Sequence, residues 1–398
     1  MNATARQRPA WILPVIVLSQ FAATSLWFAA NAVLPDLQTV FDLPANAVGL
    51  VTSAVQFGFV AGTLIFALLT LSDRFRPSTV FLVCALLGAA CNAGVFVVPD
   101  GLWPLLVLRF ATGFFLAGIY PVGMKIAASW YAEGLGGALG YLVGALVLGT
   151  AFPHLIEALG GDLPWRGVMA AVSGLAVAGG LAVYLFVPAG PHLPGPSPFD
   201  PRAIPQAFAD RNLRSAAFGY FGHMWELYPV LAFFPVLLVL HIEGGGASGV
   251  GVSLWSFFAI AAGAVGCMGG GMLSRRLGSA RVAFVQLACS GVACVVSPWL
   301  LHAPTPVFLA FLLFWGMTVS GDSPQFSTLV AGSAPRRSVG TALTFVNSMG
   351  FAITIVSLQL VELLRHVVHP DYMMWVLVPG PVIGLLAMRR LLQPPLST

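Results

Sequence analysis

Three charged side chains stand inside long apolar stretches, where an unpaired charge is costly. The segment "FGHMWELYPV" (221–230) carries Glu226, "SGDSPQF" (320–326) carries Asp322, and "RFATGFFLAG" begins with Arg109. In the middle of a bilayer an unpaired charge costs at least ~2.5 kcal/mol. Ionisable side chains at such positions pair with one another or contact a solute, so these three residues are the first candidates for chemistry.

Arg109 and Glu226 are predicted to lie at a similar depth in the membrane. Glu226 lies about thirteen residues into its span, or ~20 Å, and Arg109 lies ~10 Å from the outer end of a span of opposite direction. We therefore expect the two to face each other, with Glu226 taking up a proton when Arg109 or a substrate releases it. The alternative is a static ion pair that locks two helices together.

Further polar side chains accompany this pair. His223 precedes Glu226 by three residues and shares its helix face, where it either relays protons or donates a hydrogen bond to the carboxylate or to a neighbouring helix. Tyr228 is expected in a cavity wall or in packing between helices. The neutral polar side chains that we expect along a solute path, or in contacts between helices, are Gln20, Asn31, Gln325 and Asn347.

Asp322 is predicted to lie at a break in its helix. Gly321 precedes it and Pro324 follows it, and both residues interrupt regular helical hydrogen bonding. A broken helix exposes backbone carbonyls to a solute cavity. Asp322 is therefore expected either to line such a cavity or to form a gate, with Lys125 as a possible partner.

The composition indicates where these residues act. Of the 398 residues 58% are hydrophobic and 8% are charged, against roughly 25% charged in soluble proteins. A helix that crosses ~30 Å of hydrocarbon needs about 20 apolar residues. Twelve stretches qualify: 11–34, 46–71, 78–98, 102–127, 135–157, 167–187, 213–240, 248–273, 281–301, 305–330, 339–363 and 372–390. The sequence therefore predicts an all-α polytopic membrane protein with twelve transmembrane helices.

The distribution of Lys and Arg predicts the orientation. With the N-terminus inside, fifteen basic residues fall on the cytoplasmic side, among them Arg6, Arg8, Arg336 and Arg337, and two fall outside. This asymmetry predicts that both termini are cytoplasmic, in an inner or plasma membrane.

A proline-rich stretch divides the chain into two halves. The segment "PAGPHLPGPSPFDPRAIPQ" contains too much proline to span a membrane. We predict a six-helix bundle over 1–190, a cytoplasmic linker over 191–212 and a second six-helix bundle over 213–398.

The two halves also resemble each other in sequence. "LSDRFRP" (71–77) is followed 202 residues later by "LSRRLGS" (273–279), and "GFFLAGIYP" (113–121) aligns with "GMTVSGDSP" (316–324) at an offset of 203. Near-constant offsets indicate duplication, and parallel six-helix repeats place a solute site between the halves.

Twelve spans in two sixes, "LSDRFRP" after the second span and "RFATGFFLAGIYPVGMK" in the fourth resemble the major facilitator superfamily. The resemblance covers essentially the whole chain. It implies that Asp73 and Arg74, and Arg276 in the second copy, belong to loops whose contacts between halves hold an outward-open state. It also implies a part for Arg109 in proton coupling.

The sequence contains no ATP-binding signature, so transport is expected to be secondary or facilitated. We predict a proton-coupled carrier of a small polar or anionic solute that works by alternating access. Its expected partners are the solute, protons and lipid, with no cofactor, no metal and no nucleic acid, and it is expected to be a monomer. No nucleophile–base constellation indicates an enzyme.

Three alternatives remain open at this stage. Efflux of amphipathic drugs or metabolites is the main one. A copper importer is suggested by Met224, His223, Cys267 and Met268, although the spacing of known importers is not reproduced. The third alternative is a membrane receptor that does not transport.

Overall fold

The chain folds into helices that run back and forth through one bundle. The computed structural model describes residues 9–131, 135–160, 164–192, 200–247, 249–335 and 339–392. In that part of the chain eleven helices are long and apolar enough to cross a membrane, and a twelfth is shorter. They are α1 (Ile12–Thr24), α2 (Ala47–Leu68), α3 (Pro77–Phe96), α4 (Leu102–Trp130), α5 (Gly137–Leu159), α6 (Trp165–Phe186), α7 (Arg211–Glu243), α8 (Val252–Leu277), α9 (Ser279–Leu301), α10 (Thr305–Ser333), α11 (Val339–Val367) and α12 (Pro370–Leu392). The predicted all-α polytopic membrane fold is confirmed.

The predicted duplication is visible where helices cross. In the first half α4 passes so close to α2 that a Cβ on Gly113 would lie 2.0 Å from the backbone oxygen of Val55. In the second half α10 passes α8 in the same way, and a Cβ on Gly316 would lie 1.8 Å from the oxygen of Ala259. Each residue of the second pair lies about 203 positions after its counterpart. The two halves therefore repeat one packing arrangement.

Gly316→Ala is expected to destabilise the fold, because the added methyl group meets main-chain atoms that cannot rotate away. Overpacking of this kind costs about 1–3 kcal/mol, which lowers the thermal unfolding temperature of the purified protein. Gly174→Ala on α6 is the matched control, since its added carbon meets nothing within 4 Å. Equal unfolding temperatures for the two variants would contradict the close crossing.

The first span is interrupted, which the prediction of one continuous helix over 11–34 did not anticipate. α1 ends at Thr24 and the chain resumes as the short helices Ala29–Ala32 and Leu34–Val40. The intervening turn leaves backbone carbonyls without their usual helical donors. These carbonyls need partners from elsewhere, because hydrocarbon offers none.

The fourth and tenth spans are interrupted at equivalent places. α4 turns at residues 117–119, before a second segment with Pro121 in its first turn, so the span predicted as continuous over 102–127 is also broken. α10 breaks at Asp322, before a segment with Pro324 in its first turn, as predicted. Proline favours the first turn of a helix because its missing N–H has no intrahelical acceptor there.

Most basic side chains lie at one end of the bundle, which we call the basic end; the other end is the opposite end. The basic end carries Arg74, Arg76, Lys125, Arg275, Arg276, Arg281, Arg389 and Arg390. Arg6, Arg8, Arg336 and Arg337 lie outside the described residues. The assignment of the basic end to the cytoplasm stays a prediction.

The predicted linker contains a short helix, Ala203–Ala209, and residues 193–199 within it lie outside the described part of the chain. α7 then begins at Arg211, two residues before the predicted start. The Asp210 carboxylate caps it by accepting hydrogen bonds from the backbone N–H groups of Asn212 and Leu213, each at 2.8 Å. The boundaries of the two halves stay predictions.

Candidate functional site

A small cavity of about 40 Å³ lies between the two halves. Its walls are aromatic, aliphatic and hydroxyl side chains. They are Tyr120, Val143, Leu146, Val147 and Thr150 from the first half and Tyr220, Met224, Leu227, Tyr228, Leu231, Ser320, Ser323, Ser327 and Phe351 from the second. None of the described residues that line this central cavity is charged. The chemistry of the lining therefore suits an uncharged solute with both hydroxyl and apolar surface, and the cavity must widen to admit it.

A buried polar cluster lies behind one wall of the central cavity. His223 on α7 places its Nδ1 2.8 Å from Oδ1 of Asp322, and its Nε2 lies 2.7 Å from the Ser323 hydroxyl. His223 and Asp322 are fully buried, whereas Ser323 lines the cavity. The break in α10 produces this arrangement, because it turns Asp322 and Ser323 toward α7. His223 thus connects a buried carboxylate to the solute space through one hydroxyl.

The contact between His223 and Asp322 is close but not a well-aligned hydrogen bond. Neither His223 Nδ1 nor either carboxylate oxygen of Asp322 has a hydrogen-bond partner of good geometry among the described residues. A buried carboxylate without donors is costly. Adding a proton to His223 or Asp322, or moving one between them, therefore changes the electrostatic energy of this contact.

Glu226 belongs to the same cluster, one turn along α7 from His223. Its side chain is fully buried, and Oε2 accepts a weak hydrogen bond from the Cys294 thiol at 3.4 Å. Oε1 has no hydrogen-bond partner in the described part of the chain. Glu226 and Asp322 are therefore two buried carboxylates of the second half whose oxygens are incompletely satisfied.

Arg109 is placed differently from the sequence prediction. Its guanidinium donates to Oδ1 of Asn92 at 2.9 Å and to the backbone oxygens of Leu26 and Trp27 at 2.9 and 2.8 Å. The two backbone oxygens belong to the interruption of α1, so Arg109 satisfies carbonyls that the turn leaves free. Arg109 forms no ion pair among the described residues, and the predicted pair with Glu226 is wrong in this structure.

The predicted gate partner of Asp322 is also engaged elsewhere. Lys125 forms an ion pair with Asp73 and donates to the backbone oxygen of Ser72 at 2.7 Å. Asp73 and Lys125 both belong to the first half at the basic end. The pairing of Asp322 with Lys125 is therefore absent, and His223 takes its place.

The neutral polar residues predicted along the path are spread over several helices. Gln20 is buried on α1 with no hydrogen-bond partner for its amide among the described residues, and Asn31 donates to the Thr52 hydroxyl at 2.7 Å. Gln325 is buried in the second segment of α10, and Asn347 is half-buried on α11. None of the four lines the central cavity as described, whereas Tyr228 does.

An aromatic group that sequence reasoning missed joins the halves beside Tyr228. Its ring stacks on Trp27 with centroids 5.6 Å apart, and it contacts Phe351 at 5.3 Å. Phe59 completes the group, 4.9 Å from Trp27 and 4.4 Å from Phe351. Because 12% of all residues are aromatic, no sequence signal distinguishes these four from the rest.

A second missed feature closes the opposite end. The Glu362 Oε2 on α11 accepts a hydrogen bond from the backbone N–H of Gly49 on α2 at 3.2 Å, and Gln359 donates to the Ser53 hydroxyl at 2.9 Å. We call these four residues the α2–α11 latch. Arg365 holds the other carboxylate oxygen of Glu362 at 2.7 Å. The halves are thus joined by polar contacts at this end.

At the basic end, no side-chain hydrogen bond or ion pair joins α2 to α11 among the described residues. A cavity of about 250 Å³ lies there, lined by Thr63, Phe66, Ala67, Thr70, Ser72, Asp73, Ala117, Pro121, Val122, Lys125, Gly340, Thr341 and Thr344. Arg74 donates to the Thr70 hydroxyl at 3.2 Å within its own half, and Arg276 is exposed. Asp73, Arg74 and Arg276 were expected to make contacts between the halves. These contacts are absent among the described residues, which agrees with their forming in a different conformational state.

The residues that suggested a copper site are not gathered around one point. Met224 lines the central cavity, and the Cys267 thiol donates to the Ser320 backbone oxygen at 3.2 Å. His223 contacts Asp322. In the part of the chain that the structure describes, no group of three His, Cys, Asp or Glu residues is able to hold a metal ion.

Comparison with known proteins identifies relatives of this chain. A family model described as Major Facilitator Superfamily matches residues 16–358. A "Putative metabolite transport protein" of Haemophilus influenzae (strain ATCC 51907 / DSM 11121 / KW20 / Rd) is 32% identical over 149 residues. That alignment covers 36% of this chain and 34% of the relative, so the match spans about a third of the relative's length.

Solved structures share the fold across nearly the whole chain. The proton:xylose symporter XylE, bound to 6-bromo-6-deoxy-D-glucose, matches with a TM-score of 0.72 at 15% identity, over 96% of this chain and 95% of that one. The human organic anion transporter MFSD10 (TETRAN) matches with a TM-score of 0.72 at 17% identity, over 96% of this chain and 99% of that one. At these identities the matches show the fold alone.

Proposed function

Because the chain belongs to the major facilitator superfamily, whose members are transporters, we propose that this integral membrane protein couples the movement of a small, uncharged polar solute to the movement of protons. The coupling groups are His223, Asp322 and Glu226. The solute occupies the central cavity between the halves. The sequence also favoured an anionic solute. We do not propose one, because Arg109 is engaged by protein acceptors and the cavity lining carries no cation.

One observation carries the coupling: the path from the central cavity through Ser323 to His223 and Asp322. A solute hydroxyl that bonds Ser323 competes with His223 for the same hydroxyl. Displacing His223 from Ser323 alters the position of its ring against Asp322, and with it the stability of a proton on the pair. Solute binding and proton binding thereby affect each other, and such coupling is reciprocal.

Alternating access supplies the second part of the proposal. The halves meet at the opposite end through the α2–α11 latch, whereas at the basic end a cavity separates α2 from α11. If the basic end is cytoplasmic, this arrangement is a state closed toward the outside. To open at the opposite end, the α2–α11 latch must separate. The loops that carry Asp73, Arg74 and Arg276 must then form contacts between the two halves at the basic end.

The relatives favour a metabolite or a sugar over a drug. The Haemophilus relative is named for metabolite transport and the XylE structure holds a sugar derivative, although MFSD10 is named for organic anions. A neutral polyhydroxylated solute also suits the hydroxyls and stacked rings of the central cavity.

The test uses purified protein in sealed liposomes that contain a pH-sensitive dye, with the membrane potential clamped. Candidate sugars, neutral metabolites, anions and amphipathic compounds are added to one side in turn. Proton movement that depends on a neutral solute supports the proposal. Solute-dependent movement without protons would contradict the coupling, and movement with anions only would contradict the solute class.

Glu362→Ala is expected to open the opposite end more often, because it removes the acceptor of the Gly49 N–H. The probe is a cysteine introduced at Ala47, a buried residue at the start of α2, labelled with a membrane-impermeant thiol reagent. A latch worth 1–2 kcal/mol gives roughly a 5–30-fold faster labelling rate. Glu243→Ala, which removes an exposed carboxylate at the end of α7, is the control. An unchanged rate in Glu362→Ala would show that the latch does not hold this end closed.

A further inference from the structure

A large groove runs along the outer surface of the second half at the basic end. It lies between α8 and α9 and has a volume of about 920 Å³. Its walls are apolar, formed by Val265, Met272, Phe284, Val285 and Met317 among others. A Cβ on Gly269 would meet nothing within 4 Å. The groove therefore offers open space beside α8 along which an alkyl chain can lie.

The mouth of this groove is positively charged. Arg276 ends α8 and Arg281 begins α9; both line the groove, and both are exposed. Neither forms an ion pair or a side-chain hydrogen bond with another described residue. Neither the last turn of α8 nor the first turn of α9 contains an acidic residue. Two cations therefore line one groove, and no acidic residue lines it with them.

The backbone adds to the same positive field. A single residue, Gly278, joins the two helices with a φ of +83°, a conformation that favours glycine. This tight turn brings the N-terminus of the 23-residue α9 next to the two arginines. No side chain caps α9, so the first backbone N–H groups are free to bind an anion, and the helix dipole favours one.

We propose that the α8–α9 groove binds an anionic phospholipid, with its phosphodiester at Arg276, Arg281 and the start of α9 and one acyl chain along the apolar walls. The two parts of the site match the two parts of such a molecule. Basic pockets between transmembrane helices at a membrane surface bind acidic headgroups, and apolar walls below them accommodate the chain. A soluble phosphate would use the mouth but leave the groove empty.

The test measures lipid binding to the detergent-purified full chain by native mass spectrometry. Phosphatidylglycerol and phosphatidylcholine with identical acyl chains are compared at equal concentration. Two basic residues near a membrane surface favour the acidic lipid by roughly tenfold or more, and Arg276→Gln/Arg281→Gln is expected to remove this preference. Arg202→Gln/Arg211→Gln removes the same charge from exposed positions outside the groove and is expected to retain the preference.

A second pair of variants tests the acyl part of the site. Gly269→Leu places a larger side chain in the groove at a position where an added Cβ meets nothing within 4 Å, and it is expected to weaken phosphatidylglycerol binding several-fold. Gly174→Leu on α6 is its control, because a Cβ there also meets nothing within 4 Å. Equal binding of the two lipids by the wild type, or equal losses in the test and control variants, would overturn the proposal. Full competition by inorganic phosphate would also overturn it, because the site would then recognise free phosphate.

Discussion

Asp322→Asn is expected to abolish the coupling between the proton gradient and solute accumulation. A gradient of one pH unit carries about 1.4 kcal/mol per proton, which supports roughly a tenfold concentration ratio of a neutral solute moved with or against one proton. In Asp322→Asn the solute concentration ratio across the membrane should fall to about 1. The reason is geometric, because Asp322 is the carboxylate that His223 contacts at 2.8 Å behind the cavity wall.

The measurement is the steady-state solute ratio in liposomes with a fixed pH difference and a clamped potential. Exchange of labelled for unlabelled solute without a gradient is measured on the same preparation. We expect Asp322→Asn to retain exchange, because the amide has nearly the volume of the carboxyl group and preserves the break in α10. Loss of exchange together with accumulation would identify Asp322 as structural or solute-binding instead.

Two further variants locate the proton within the cluster. Glu226→Gln leaves the His223–Asp322 contact intact, so it reports whether the second carboxylate takes part. Glu157→Gln on α5 is the control, because Glu157 has no ion pair in the described part of the chain and lies outside the cluster. A tenfold ratio that survives in Asp322→Asn but collapses in Glu226→Gln would transfer the proton site to Glu226.

The sequence predicted the helices well because hydropathy is a local property. Each span needs about 20 apolar residues, and eleven of the twelve predicted stretches form one long helix or a helix interrupted by a single turn. The break at Asp322 was predictable as well, since Gly321 and Pro324 signal it. The break in α1 was not, because the residues Ser25–Leu26–Trp27–Phe28 contain neither glycine nor proline.

The partners of the charged residues were harder to predict than their positions. The depths of Arg109 and Glu226 in the membrane, counted along their spans, placed the two residues near each other. Depth alone does not reveal which face of a helix a side chain occupies. The actual acceptors of Arg109 include two backbone oxygens, and every residue has one, so the sequence cannot distinguish them. Glu362 was missed for another reason, since beside Arg365 and His366 it has the pattern of an ordinary exposed helix end.

Arg109→Met is expected to destabilise the first half strongly. It removes three hydrogen bonds and leaves the Leu26 and Trp27 oxygens without donors where no water reaches. Each lost bond to a charged group is worth about 1.5–3 kcal/mol, so even after the gain from removing a buried charge a net loss of ~3 kcal/mol or more is expected. The measurement is the unfolding temperature of the purified protein, together with its yield in the membrane.

Arg109→Lys distinguishes a structural role from the part in proton coupling that the family resemblance implied. Lysine retains the positive charge, but its single ammonium group cannot reproduce the planar fork that reaches Asn92 and two carbonyls at once. If the geometry matters, Arg109→Lys should lower the unfolding temperature nearly as much as Arg109→Met, while the protein that remains folded still accumulates solute. If the positive charge matters for coupling, the Arg109→Met protein that still folds should lose the tenfold solute concentration ratio, whereas Arg109→Lys should retain it. The three short bonds, one to Asn92 and two to the interruption of α1, favour the first outcome, because they occupy the donors that a moving coupling group would need to release.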